Sequence, residues 1–309
     1  MKNEIKIFYS KEWTDYELLD TGEGEKLERF GPYTFVRPYE GAVWKKTLLE
    51  KEWSKVNGKF WSSKVGAKAG WKMENKFPSG STAGKTAGKW EMGYKGIKFL
   101  ATPTPFRHLG FFPEQASHWD FIETRLRQGS DEQRKTKFLN LFGYTGVASL
   151  FALRAGAEVT HLDASKQTLS WAKENQKLSG LENFPMRLIE DDVIKFLERE
   201  AKRGNKYDAI IMDPPKFGRG PKGEIWKIEE MLPKLLSLVR KVLSDEPLFV
   251  ILTSYAIDSS SLSLGYALGD AMKNFSGIIE AGELCVLEKS NNRLIPLANT
   301  AIWSADVIE

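Results

Sequence analysis

A chain of 309 residues with 41% hydrophobic and 28% charged side chains is globular in composition and long enough for two domains. It offers no run of roughly 18 uncharged apolar residues for a membrane span, and its start, MKNEIKIFYSKEW, lacks an export signal's apolar core, so a cytoplasmic location is expected. One cysteine excludes an internal disulfide framework, and His108, His118 and His161 share no metal-ligand spacing with it, so no metal is expected.

The net charge of +4 is unevenly spread: residues 41 to 100 hold 13 basic against 4 acidic side chains, with five of the ten tryptophans (Trp44, Trp53, Trp61, Trp71, Trp90). Such a segment suits RNA, through phosphate neutralisation and base stacking, but it equally describes a small β domain with Trp in its core and Lys in solvent. Turn signals at Asp20-Thr21-Gly22, Arg29-Phe30-Gly31-Pro32 and Met92-Gly93-Tyr94-Lys95-Gly96 predict a β-rich accessory domain over residues 1–105. The low-complexity run SGSTAGKTAGK, residues 79–89, reads as a mobile basic loop; it is no P-loop, because the first glycine of that pattern falls at Ser79 and no apolar strand precedes it.

From residue 106 onward helices and strands alternate. A lead-in helix over 114–128 is followed by a strand at 137–142, a helix at 146–155 closed by Gly156, and a strand at 158–162 ending on Asp163. A helix at 165–178, a strand at 186–189, a helix at 192–203, a strand at 207–212, a helix at 226–243 and a strand at 248–253 continue the series. This spacing implies right-handed crossovers and a mostly parallel sheet covered on both faces, an α/β fold of Rossmann-like type. Two closing strands, 283–287 and 298–304, joined through Asn291-Asn292, predict a terminal antiparallel hairpin.

Two segments carry chemistry. Asn140-Leu141-Phe142-Gly143-Tyr144-Thr145-Gly146 is a glycine turn after the first of these strands, and Asp213-Pro214-Pro215-Lys216-Phe217 ends the fourth. Both fall at the carboxyl edge of the sheet, where open α/β folds bind ligands, and together they suggest methyl transfer. A nicotinamide reading needs GxGxxG, but the alignment puts Leu141 at the first glycine, so the loop is a poor dinucleotide candidate. Lys216, Arg219 and Lys222 follow in a Gly/Pro-rich stretch that reads as a mobile basic lid.

The runs NLFGYTG, LDAS, Asp191-Asp192 and DPPKF, with HLGFFPEQ (108–115) leading in, resemble the class I S-adenosylmethionine-dependent methyltransferases across residues 106–309. Within that class they are similar to the bacterial enzymes that modify 23S ribosomal RNA at cytosine C5 or guanine N7. The resemblance implies S-adenosyl-L-methionine as cofactor and RNA, chiefly ribosomal, as substrate. It implies that Gly143 and Gly146 let the backbone approach the cofactor, flanked by Asn140 and Tyr144, with Gln115 nearby. Asp163 would accept the ribose hydroxyls, Asp192 with Val193 the adenine, with Asp191 the less favoured acid, and Asp213 would close the methionine end. Each aspartate could instead merely cap a helix. Asp213, Pro214, Pro215 and Phe217 form the expected catalytic group, with Phe217 stacked on a planar acceptor or packed under the next loop. Cytosine C5 methylation needs a nucleophile, which in the similar enzymes is a cysteine just after the fifth strand; here that segment reads Leu252-Thr253-Ser254-Tyr255. Cys285 lies among Leu284, Val286 and Leu287 as a buried thiol, so transfer to a nitrogen or oxygen atom is expected. The rival readings are a methyltransferase of protein or small molecules, and an RNA-binding protein with a vestigial cofactor fold.

Overall fold

The structure, a computed structural model, describes residues 4–61, 69–74, 88–129, 135–255 and 260–306. Most of the run 79–89, and with it Lys85, as well as Lys64 and Lys68, lies outside the described residues. Two compact units are present: one comprises Met1–Phe8, Ser117–Cys285 and Pro296–Glu309, the other Tyr9–Ala116 and Val286–Ile295. The sequence reading divides the chain at 105/106, whereas the second unit keeps residues 106 to 116 and takes in a distant segment, and Ile5–Phe8 pairs within the first.

Apart from β1 (Ile5–Phe8), the early strands belong to the second unit: β2 (Tyr16–Gly22), β3 (Glu25–Phe30), β4 (Tyr33–Pro38), the single-turn helix α1 (Glu50–Trp53), β5 (Gly58–Trp61), β6 (Gly70–Met73), β7 (Trp90–Tyr94) and β8 (Ile97–Ala101). β2 to β6 form a five-stranded sheet in sequence order, and β7–β8 a separate hairpin. The β7–β8 turn is where the sequence puts it, with Lys95 (φ 46°) and Gly96 (φ 84°) both left-handed, as a tight hairpin turn demands. Asp20-Thr21-Gly22, by contrast, lies inside β2 beside a bulge between Leu18 and Asp20, not at a turn. The reason is the Asp20 carboxylate, which is buried and accepts from the Thr47 and Leu48 amides (3.0 and 2.8 Å), Trp53 Nε1 (3.0 Å) and Ser290 Oγ (2.7 Å).

The tryptophans of the basic segment are mostly structural. Trp53 packs with Leu27 and Val36, and Trp90 stacks on Phe35 (5.8 Å). Trp44 donates to the Thr21 carbonyl (3.1 Å) and Trp71 to the Thr104 carbonyl (2.9 Å), while Trp61 is 42% exposed. Beneath them Glu28, fully buried, accepts from Tyr16 Oη (2.9 Å) and from Arg37 Nε and Nη2 (2.6 and 2.7 Å), with Lys26 Nζ at 3.2 Å.

The second unit then runs through a 3-10 turn, Pro113–Gln115, into α2 (Ala116–Gln128), most of which belongs to the first unit. β9 (Lys137–Leu141), α3 (Val147–Arg154), β10 (Glu158–Asp163), α4 (Lys166–Leu178), β11 (Met186–Glu190), α5 (Val193–Arg203) and β12 (Ala209–Met212) follow the predicted alternation. After them come β13 (Phe217–Arg219), β14 (Ile225–Lys227), α6 (Ile228–Val242), β15 (Phe249–Ser254), α7 (Ser261–Met272), β16 (Ile278–Leu287) and β17 (Leu294–Ser304). The eight-stranded order β1-β16-β17-β15-β12-β9-β10-β11 is parallel from β15 through β12, β9 and β10 to β11, with β17 antiparallel to β15. Both faces are buried, as all-apolar β12 (AIIM) and the wholly buried β15 (FVILTS) show: Leu139, Ile210 and Val250 pack against α5 to α7 through Phe196, Leu235 and Leu268. The stretch with Lys216, Arg219 and Lys222, read from the sequence as a mobile basic lid, runs into the antiparallel hairpin β13–β14, whose second strand also takes Trp226 and Lys227 from the start of the helix expected over 226–243.

Candidate active site

β9 lies between β10 and β12, so the chain leaves it toward β11 on one side and returns toward β15 on the other. At such a switch point the loops part and open a crevice at the carboxyl ends of the strands. The turn after β9, Asp163 ending β10, Asp191-Asp192 after β11 and Asp213-Pro214-Pro215 after β12 all emerge there.

The turn itself is tightly wound. Phe142 (φ 58°), Tyr144 (φ 53°) and Gly146 (φ 84°) are all left-handed, a strained state for two bulky aromatic residues. It is held by Gly143 N–H to the Leu162 carbonyl (2.9 Å), Gly146 N–H to the Gly143 carbonyl (3.0 Å) and Tyr144 N–H to Asp163 Oδ2 (2.9 Å). Asp163 Oδ1 accepts from Ser165 N–H and Thr168 Oγ1, both at 2.9 Å. Asp163 is thus no simple helix cap; Ser165 is the N-cap of α4. A carboxylate has about four lone-pair sites, so with three bonds accepted it retains capacity for a ligand hydroxyl.

Gly143 has a structural reason that the sequence conceals. A Cβ there would lie 2.3 Å from His161 Cε1, in a ring that is fully buried in β10. His161 Nδ1 meets Ser149 Oγ at 3.0 Å, and Ser149 Oγ accepts from Asn140 Nδ2 at 3.0 Å. Asn140, expected beside the cofactor, therefore directs its amide into a buried network under the turn. Burial holds the imidazole neutral, at about 4 against an ordinary 6.5, partly opposed by the Asp163 charge. Only the polar Thr160-His161 pair between Val159 and Leu162 could have signalled this in the sequence. Gly143→Ala should destabilise the protein by about 1 to 3 kcal/mol through overpacking and weaken cofactor binding, with His161→Ala in the same chain restoring part of the loss. Thermal unfolding and calorimetry of the single and double variants measure both effects.

The remaining residues divide. Asp192 caps α5, its Oδ1 accepting from Lys195 N–H (3.0 Å), and its carboxylate makes no further hydrogen bond among the described residues. Asp191 accepts from Asp192 N–H (2.9 Å) and pairs with Arg199, while Val193 is buried in the core. Asp213 is half-buried, Pro214 buried, and Phe217 54% exposed. Trp226, unmarked in the sequence, donates from Nε1 to the Pro215 carbonyl (2.6 Å) and meets Phe142 edge-on at 5.0 Å, joining the Pro-Pro corner to the turn. Gln115 is buried within the second unit. A cavity of about 530 Å3 opens at the opposite, amino edge of the sheet, lined by Lys137, Thr160, Arg187 and Glu200 among others. There Glu200 is satisfied by Tyr207 Oη (2.7 Å) and Asn205 Nδ2 (2.9 Å), a closed set that secures the end of α5.

The acceptor set discriminates between ligands. Carboxylates around one turn suit a cation rich in hydroxyl and amino donors and would repel a diphosphate. The chain aligns over 97% of its length, and 94% of the other's, with the crystal structure of a SAM-dependent methyltransferase from Agrobacterium tumefaciens, at 38% identity and a TM-score of 0.88. It therefore belongs to the S-adenosylmethionine-dependent methyltransferases, class I by its strand order, with S-adenosylmethionine as methyl donor. A family model described as conserved hypothetical protein 95 matches residues 125–251. Among curated proteins, ribosomal RNA large subunit methyltransferase K of Neisseria meningitidis serogroup B is 30% identical over 195 residues, 62% of this chain and 53% of that protein. Ribosomal RNA large subunit methyltransferase I of Aeromonas salmonicida is 35% identical over 124 residues, 40% of this chain and 29% of that protein. The chain thus spans about half or less of the curated relatives it matches.

Proposed function

We propose that this chain methylates ribosomal RNA at a nitrogen or oxygen atom, without a covalent cysteine intermediate. The observation that carries the choice of atom is the residue ending β15: Ser254 stands where a C5 mechanism needs a thiol. Cys285, 2% exposed, has its thiol pushed up to about 11 by burial and then by Glu283, which leaves it protonated and inert. The substrate class is supported by the names of the curated relatives and by the basic segment 41–100.

The cofactor supplies a methyl group already activated by its sulfonium, so the protein needs to align the acceptor and exclude water. Asp163 accepts ribose hydroxyls, Asp192 the adenine amino group beside Val193, and Asp213 faces the methionine end. Gly143, Tyr144 and Gly146 shape the backbone between them, and Asn140 acts from below through Ser149. Pro214 and Pro215 form a rigid wall and Phe217 stacks on the acceptor. Asp163→Ala should weaken S-adenosylmethionine binding by about 1.5 to 3 kcal/mol, read by calorimetry, with no binding of NAD by the parent.

The decisive experiment supplies tritiated cofactor and enzyme to an extract from cells lacking the gene, then counts label in RNA, protein and small-molecule fractions. Label in ribosomal RNA is expected. Label confined to protein or small molecules would overturn the substrate assignment.

A further inference from the structure

The hairpin β13–β14 begins two residues beyond the Asp-Pro-Pro corner and presents two unlike faces. Its pairs are Phe217 with Lys227, Gly218 with Trp226, and Arg219 with Ile225. Alternation puts Phe217, Arg219, Ile225 and Lys227 on one face and Trp226 on the other. Burial agrees: Trp226 is 4% exposed, while Phe217 and Ile225 are 54% and 58% exposed. Two large apolar side chains therefore stand open between cations.

The hairpin is also rigid. Trp226 anchors its inner face to the Pro215 carbonyl, and Ile228 N–H donates to the Lys216 carbonyl (3.1 Å). The connection 220–224 is wound by Gly220 N–H to the Glu224 carbonyl (2.9 Å) and Gly223 N–H to the Gly220 carbonyl (3.0 Å). Glu224, the acid in this connection, is taken up by Lys195 Nζ (2.5 Å) and Lys222 N–H (2.9 Å), which hold its carboxyl down at about 2. Lys227 pairs with Glu230 (2.8 Å). Lys216, Arg219 and Lys222 make no ion pair among the described residues. The outward charge is therefore positive, and it flanks an exposed aromatic ring.

We infer that the outer face of this hairpin is the docking platform for a single-stranded stretch of the RNA substrate, with Phe217 stacking the acceptor base and Lys216, Arg219 and Lys222 meeting the phosphates adjacent to it. The inference rests on the RNA reading above. An aromatic ring between unpaired cations fits a polyanion that also carries flat bases, and base stacking distinguishes it from an acidic polypeptide. The anchored position just after the Asp-Pro-Pro corner makes the strand's path continuous with the acceptor position.

The test measures binding of a fluorescein-labelled oligouridylate to the full chain against salt, with poly-glutamate as competitor and S-adenosylmethionine calorimetry as a check of integrity. Phe217→Ala should weaken binding about tenfold with the salt slope unchanged, and Phe217→Tyr should keep parental affinity. The triple variant Lys216→Ala, Arg219→Ala, Lys222→Ala should flatten the log–log slope by about 2, at about 0.7 for each phosphate no longer neutralised. If the parent binds RNA and these variants keep its affinity and slope, the platform is wrong while the RNA reading survives. If the parent shows no salt-dependent RNA binding, both are overturned. Poly-glutamate displacing the RNA as well as unlabelled oligouridylate does would mean that the face reads charge alone, and would also overturn the platform.

Discussion

Acidification from pH 6.5 to pH 4 should strip several kcal/mol from the stability of this protein. His118 and His161 are fully buried, and burial holds them at about 3 and about 4 against an ordinary 6.5. His118 meets Thr300 Oγ1 at 3.2 Å, and burial is the cause of its lowered pKa. In this window the unfolded chain binds protons that the folded chain does not, so stability is fully present above about 6.5 and falls as pH drops. At about 1.4 kcal/mol per pH unit each histidine accounts for about 3 kcal/mol by pH 4, against a typical total of roughly 5 to 15. His108, pushed down to about 3 by burial and by Arg37, adds in the same direction. Glu114, raised by burial, works against them. Urea unfolding at a series of pH values measures the slope, and His118→Gln should make it shallower. Equal unfolding midpoints at pH 7 and pH 4.5 would refute the account.

Arg37→Met should be comparably severe. It removes the bidentate partner of the Glu28 carboxylate, which is fully buried and held at about 2 by Arg37 and Lys26 against the opposing effect of burial. A buried carboxylate deprived of its main cation typically destabilises by about 3 to 5 kcal/mol, far more than a surface pair. Adding Glu28→Gln should recover a large part, because the defect is the uncompensated charge and not the missing guanidinium itself. Denaturant unfolding of the single and double variants distinguishes the two; a double variant no more stable than Arg37→Met alone would mean that the packing of Arg37 over Phe30 matters more.

Much of the methyltransferase unit was legible because its signals are local. Apolar runs bounded by Gly156 and Gly180, and aspartates at strand ends, fix strand and helix within a few residues, and the class follows from their order. What escaped is non-local or locally contradictory. β1 pairs with Ala281–Leu284, a partner more than 270 residues away that no pattern announces. α7 contains Gly265 and Gly269, which mute its helix signal, and β13–β14 is a hairpin written in Gly, Pro and Lys. The tryptophans of 41–100 pointed to RNA by composition, yet most serve a small core and its buried polar groups. At the site, the glycines and aspartates were identifiable by residue type, but that His161 fills the space under Gly143 is visible only once β9 and β10 lie side by side.

The chain's repeated passage between its two units bears on how the protein is made. A nascent polypeptide commonly folds domain by domain as it leaves the ribosome, amino-terminal part first. Here Glu288 supplies the acceptor for Thr21 Oγ1 (2.5 Å) and Ser290 donates to Asp20, so the early sheet waits for residues 286–295 before its buried polar groups are satisfied. β17 must then insert between β15 and β16 before the large sheet is continuous. Neither unit can finish during synthesis of its own first half. Partly made chains will hold open strand edges until Leu294–Ser304 has emerged, which makes the two units poor candidates for separation into fragments.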